Sequence, residues 1–144
     1  MERFRPVQIL LVEDNPDDVS ITTRAFQRNG MAMKLLVARD GQEVLDLMCD
    51  GDGKLLRPDL VLLDINLPKV NGLDVLTTLR ATARVRTVPV VMLTASARQE
   101  DIQRAYQSGA NSYIQKPVVF DGLTHVLNVI REYWFEVATL PPAD

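Results

Sequence analysis

A chain of 144 residues with 47% hydrophobic and 24% charged side chains has the makings of one domain around a single core, so one domain must carry the whole function. The formal net charge of -3 comes from mixed charges without a long basic run. It lacks the footprint that nucleic acid or anionic lipid requires and points to a protein partner or a small anion. Cys49 is the only cysteine and His125 the only histidine, which excludes an internal disulfide and argues against a zinc-type His/Cys cluster.

In chain order, Arg3 and Arg5 precede the apolar run VQILLV, which Glu13 and Asp14 interrupt at once. The run is too short for a signal peptide or a membrane span, so the expected compartment is the cytosol. VQILLV reads as a first strand. Asn15, Pro16 and Asp18 then start a helix, supplying a cap, a proline at the first helical position and a carboxylate near the positive end. Asn29-Gly30 marks its exit. LLVA is the second strand, and Asp40 with Glu43 forms a capping box for a helix whose apolar side holds Val44, Leu45 and Met48. The following stretch, CDGDGKLLRPD, is rich in Gly and Asp and reads as a mobile surface excursion.

DLVLLD is the third strand, and the next helix begins after Asn71-Gly72. VPVVMLT is the fourth; Ser96 with Gln99 repeats the capping-box spacing ahead of Ile102, Ala105, Tyr106 and Gly109, and Ser108-Gly109 reads as that helix's exit. SYIQ is the fifth strand. The last helix carries Phe120, Leu123, Val126, Leu127, Ile130, Tyr133, Trp134 and Val137 at helical spacing. That stripe is longer than one sheet face can cover, so its far end should protrude; the alternative is that Tyr133, Trp134 and Phe135 fold back on the domain. Two prolines in TLPPAD rule out further helix, which gives a domain over 1–137 and a disordered or draped tail over 138–144.

Apolar runs alternating with amphipathic segments predict an α/β fold: five strands in a parallel sheet with helices on both faces. In such a sheet, ligands sit beyond the carboxyl ends of the strands. Glu13-Asp14, Asp64, Thr94 and Lys116-Pro117 occupy those ends. Three converging carboxylates repel one another unless a cation is present, and magnesium suits an all-oxygen site. A carboxylate can also be a covalent nucleophile, with aspartyl phosphate as product. Phosphoryl transfer would then consist mainly of alignment and charge neutralisation by magnesium and Lys116. Taken singly, each residue has an ordinary role: Glu13 or Asp14 as a cap, Thr94 as a strand-end hydroxyl, Lys116 as a solvated charge. Asp64 is harder to dismiss, because it follows LVLL and no helix starts directly after it. The joint placement at four of five strand ends is the signal.

The pieces LLVEDNPDD, LVLLDINLPKVNGLDVL, VPVVMLTASA and GANSYIQKP, in this order, resemble the receiver domain of two-component response regulators across almost the whole chain. The resemblance implies the flavodoxin-like strand order 2-1-3-4-5. It also implies that Asp64 is the phosphoacceptor, Asp14 a direct magnesium ligand with Glu13 acting through water, and Asn66 a backbone-carbonyl ligand. Lys116 and Ala95 would contact the phosphoryl oxygens, Pro117 would be a cis proline, and Thr94 and Tyr113 would be the switch pair. Asn66 and Ser96, two positions beyond Asp64 and Thr94, would help set the phosphoaspartate lifetime. A narrower likeness in RAYQSGANSYIQKPV and REYWFEV is to small regulators paired with bacterial phytochrome-type histidine kinases.

The function expected is therefore a single-domain response regulator, phosphorylated by a sensor histidine kinase and turning over no separate substrate. A homodimer is expected through the aromatic end of the last helix, with Ile130, Tyr133, Trp134 and Val137 as the contact face. No DNA-binding domain is expected after it. An intermediate phosphocarrier in a phosphorelay is one alternative. A haloacid-dehalogenase-like phosphatase using Asp64 is another, although Asn66 stands where that family has a second Asp and the cap insertion is missing. A flavodoxin-like nucleotide binder would need a phosphate-cradling loop where Glu13 and Asp14 stand. A pseudo-receiver that only binds a partner would have lost one of the key groups.

Overall fold

A computed structural model describes residues 6–27, 33–50, 55–118 and 120–142 of the chain. Alternating elements build one sheet: β1 (Val7–Val12), α1 (Pro16–Gln27), β2 (Met33–Ala38), α2 (Gly41–Leu45), β3 (Leu60–Leu63), α3 (Gly72–Ala81), β4 (Val90–Thr94), α4 (Gln99–Gln107), β5 (Ser112–Gln115) and α5 (Phe120–Glu132). All strand pairs are parallel and the spatial order is 2-1-3-4-5, as expected. The three inner strands are almost wholly buried, whereas β2 and β5 at the edges are only partly so.

Two-residue alternation divides the core. Leu10, Val12, Val61, Leu63, Val90 and Met92 face one side and meet Val44, Leu73, Leu76, Leu79 and Ala105 from α2, α3 and α4. Ile9, Leu11, Leu60, Leu62, Val91 and Leu93 face the other and meet Ala25 and Phe26 of α1 with Leu123, Leu127 and Ile130 of α5. Full burial of such side chains stabilises by about 1.5–3 kcal/mol each. The register Val12↔Leu63, Leu63↔Met92 and Thr94↔Gln115 brings the strand ends together on one edge.

Local signals held at most helix starts. Asn15 Oδ1 accepts from the N–H groups of Asp17 (2.9 Å) and Asp18 (3.3 Å). Asp40 accepts from Glu43 N–H at 2.8 Å, while the Glu43 carboxylate reaches back to Arg39 N–H. Asn71 caps α3 through Leu73 N–H at 2.8 Å. Gly109, at φ 105°, takes the left-handed turn after α4 that a side chain would resist. The Ser96/Gln99 box does not form: α4 begins at Gln99 after Arg98, and Ser96 instead accepts from Arg98 N–H and donates to Asp101 at 2.6 Å. The Asn29-Gly30 exit lies outside the described residues, as does the side chain of Phe120.

The excursion expected over 49–59 is anchored where it is described. Leu56 N–H donates to Leu47 O, Arg84 donates to the carbonyls of Met48 (2.6 Å) and Leu56 (3.0 Å), and Asp59 accepts from Gln8 N–H at 2.8 Å. Carbonyls brought close to the core need donors, and Arg84 provides them. The chain's end also differs from expectation. After Glu132 the helix widens into a π turn over Tyr133–Val137, and Trp134 and Phe135 pack back on the α1/α5 side of the core rather than protruding. Tyr133 (51%) and Val137 (68%) stay exposed. Ile130 is only 4% exposed and belongs to the domain's own core, because helical spacing aligns it with Leu123 and Leu127. It is withdrawn from the dimer face. In the tail, Pro142 O accepts from Arg57 at 3.3 Å.

Candidate functional site

Asp64 leaves β3 at the centre of the carboxyl edge. Its N–H donates to Val12 O, and its Oδ1 accepts from Ile65 N–H at 2.7 Å and Asn66 N–H at 3.4 Å. The chain then returns so closely that a Cβ on Gly72 would lie 2.0 Å from Asp64 O, so only glycine allows α3 to start there. Just past the end of the neighbouring strand β1, Glu13 is 3% exposed, and its Oε2 accepts from Asn15 N–H at 3.1 Å. Asp14 faces solvent. Ligand oxygens of Glu13, Asp14 and Asp64 all lie within 4.8 Å of one another.

Lys116, at the end of β5, ties this group together. Its N–H donates to Thr94 O at 2.7 Å, which fixes the strand end. Its ammonium donates to Glu13 Oε1, to Asp18 Oδ2 at 3.0 Å and to Asp64 Oδ2 at 3.2 Å. Burial pushes the Glu13 carboxyl up from its ordinary value, against the opposing pull of Lys116. Burial alone would lower Lys116, but the surrounding carboxylates of Glu13, Asp64 and Asp18 outweigh it and raise the ammonium's pKa. Three carboxylates, Glu13, Asp18 and Asp64, thus share one ammonium, and a fourth, Asp14, lies beside Glu13 and Asp64. A hard divalent cation with oxygen ligands fits the imbalance, and the three clustered carboxylates are the ones to hold it.

Thr94 is fully buried, and its hydroxyl accepts from Ser96 N–H at 3.4 Å. Tyr113 donates its hydroxyl to Ser96 O at 2.9 Å, and burial raises its pKa. Ser96 therefore joins the two predicted switch residues, while its own hydroxyl is committed to Asp101 and not aimed at Asp64. Asn66 and Ala95 are exposed beside the site. Among the described residues no peptide bond is cis, so the Lys116–Pro117 bond is trans, contrary to the resemblance. The trans form is the intrinsically favoured one, and here it accompanies a Lys116 already held through both its N–H and its ammonium. Sequence reading missed Asp18, taken only as a helix-end charge.

The pattern of the response regulator receiver domain matches residues 9–128. The chain belongs to this family. Receiver domains accept a phosphoryl group and turn over no separate substrate. The chain is 42% identical over 136 residues to the probable methanogenesis regulatory protein FilR2 of Methanothrix harundinacea, covering 93% of this chain and 87% of that one. It is 33% identical over 140 residues to response regulator Rcp1 of Synechocystis, covering 96% and 95%. Among solved structures, the phosphorylated cyanobacterial phytochrome response regulator RcpA superposes with a TM-score of 0.92 at 33% identity, covering 96% of this chain and all of that one. The Mn2+-bound form of Rcp1 superposes at 0.90 and 31%, covering 95% of this chain and 100% of that one. The chain is thus a receiver-domain response regulator similar to the phytochrome regulators, with an acidic cluster suited to a divalent metal and to phosphorylation.

Proposed function

We propose that this receiver takes a phosphoryl group on Asp64 from a phytochrome-type sensor histidine kinase, with magnesium held by Glu13, Asp14, Asp64 and the backbone carbonyl of Asn66. The observation that carries the reading is the Lys116 ammonium bonded to Asp64, which is one of three carboxylates whose ligand oxygens lie within 4.8 Å of one another. A carboxylate oxygen of Asp64 forms the new O–P bond as the P–N bond to the kinase histidine breaks, and the leaving imidazole takes up a proton from solvent. Magnesium, when bound, neutralises charge that would otherwise repel the donor. Lys116 donates to the phosphoryl oxygens, as does Ala95 N–H, in place of the carboxylates it now holds.

The Thr94 hydroxyl turns toward the new phosphoryl group, releasing its bond from Ser96, and Tyr113 follows into the space behind it. The β4–α4 connection is then the part that changes shape. RcpA and Rcp1 support the phytochrome pairing through their likeness along nearly the whole chain. No helix among the described residues is long and apolar enough to cross a membrane, which agrees with a cytoplasmic regulator. Exposed Tyr133 and Val137, with Trp134 at their side, form the face through which two copies would pair.

Acetyl phosphate with magnesium should add the mass of one phosphoryl group to the wild-type chain, and neither chelator-treated protein nor Asp64→Asn should gain it. Labelling that persisted in Asp64→Asn would overturn the assignment.

A further inference from the structure

The Lys116 ammonium has three N–H donors and spends them on three carboxylates, those of Glu13, Asp18 and Asp64. These partners are not equivalent. Glu13 and Asp64 offer oxygens to the cluster that would hold a cation, together with Asp14, whereas Asp18 is outside that cluster. A cation entering there competes with Lys116 for Glu13 and Asp64 and leaves Asp18 to it.

Asp18 is also braced to play that part. Its N–H donates to Asn15 Oδ1, and Asn15 N–H donates to Glu13 Oε2. Glu13, Asn15, Asp18 and Lys116 therefore close a ring of hydrogen bonds that joins the end of β1, the first turn of α1 and the end of β5. The Asp18 side chain is only a quarter exposed. Asp17, exposed on the same turn, is not one of the three carboxylates that Lys116 bonds.

We propose that Asp18 is a positioning residue for Lys116, keeping the ammonium at the crevice when a divalent cation takes over Glu13 and Asp64. Lysine carries its charge on a flexible stem, and one with no remaining partner would swing into solvent and have to be recaptured for each transfer. The bond to Asp18 removes that search. It rests on the reading of Asp64 and Lys116 given above, but its test needs no phosphorylation.

Exchange of the Lys116 ammonium protons with water, followed by nitrogen-15 NMR on the full chain, separates the partners. In chelator, exchange should be slow in wild type and in Asp18→Asn, since Glu13 and Asp64 hold the ammonium in both. In saturating magnesium chloride, wild type should stay slow, whereas Asp18→Asn should exchange about tenfold faster, on the scale of one lost charge-assisted hydrogen bond. Asp17→Asn removes the same charge from the same helix turn and should behave as wild type. Equal exchange in Asp18→Asn and wild type with magnesium overturns the proposal. So does fast exchange in Asp18→Asn without magnesium, or an Asp17→Asn chain that reproduces the effect. A failure here with Asp64 labelling intact would remove Asp18 alone, whereas persistent labelling of Asp64→Asn would remove the function and leave this result standing.

Discussion

The two ends of the sheet handle charge in opposite ways. At the carboxyl end, three carboxylates share one ammonium, and a fourth, Asp14, stands beside them. Around the segments that lead into the amino ends of β3, β4 and β5, three guanidinium groups, that of Arg80 from the last turn of α3 among them, bond to neutral acceptors. Arg80 donates to the carbonyls of Gly109, Arg86 and Val88 and to Asn111 Oδ1; Arg84 to those of Met48 and Leu56; Arg57 to those of Arg84 and Pro142 and to Thr87 Oγ1. A guanidinium on carbonyls is satisfied whatever ion is present, so that end is a fixed frame. An unbalanced acidic crevice changes its bonding whenever a cation or phosphoryl group arrives. Responsiveness in this molecule is a matter of where charge is left unequal.

The largest expected effect tests that contrast at Lys116. Lys116→Ala leaves Glu13, Asp18 and Asp64 without their ammonium and should cost about 3–5 kcal/mol in urea unfolding with chelator, the scale for stripping one partner from a buried pair. Magnesium should restore more stability to this variant than to wild type. An equal response of both proteins to magnesium would break the contrast. Arg80→Ala comes next. It takes the side-chain donor from three carbonyls, whereas Asn111 Oδ1 keeps Val90 N–H, and should cost about 2–3 kcal/mol, with the same loss in magnesium and in chelator; a loss that depended on magnesium would show the two ends to be coupled.

The smallest effect on stability belongs to neither end. Tyr133→Ser combined with Val137→Ser alters exposed side chains and should change the unfolding free energy in urea by no more than about 0.5 kcal/mol. Light scattering should nevertheless report two chains for wild type and one for the double variant. Equal molar masses would remove the dimer face.

Some residues could be read in place and others only in company. Asn15 and Asp40 act within three residues of themselves, and their caps formed as read; Asn71, read only as preceding a helix, caps it as well. Ser96 carries the same spacing, yet its hydroxyl went to Asp101, because its backbone is already held between Thr94 and Tyr113. The terminal aromatic stripe read as surplus because a continuous helix was assumed. A π turn redirected Trp134 and Phe135 onto the core, and Ile130 was never surface. Nothing in the bare sequence announces that one extra residue per turn.

The sequence by itself determined the sheet, its two apolar faces and the chemistry at the strand ends, because two-residue and helical periodicities are local and each strand's apolar run stops at a polar or charged residue. Only the tertiary structure decided which charges meet. Lys116 and Glu13 are 103 positions apart, and Lys116 and Asp18 are 98 apart. Such partners are chosen by the packing of β1, α1 and β5 around one crevice, which no local pattern encodes.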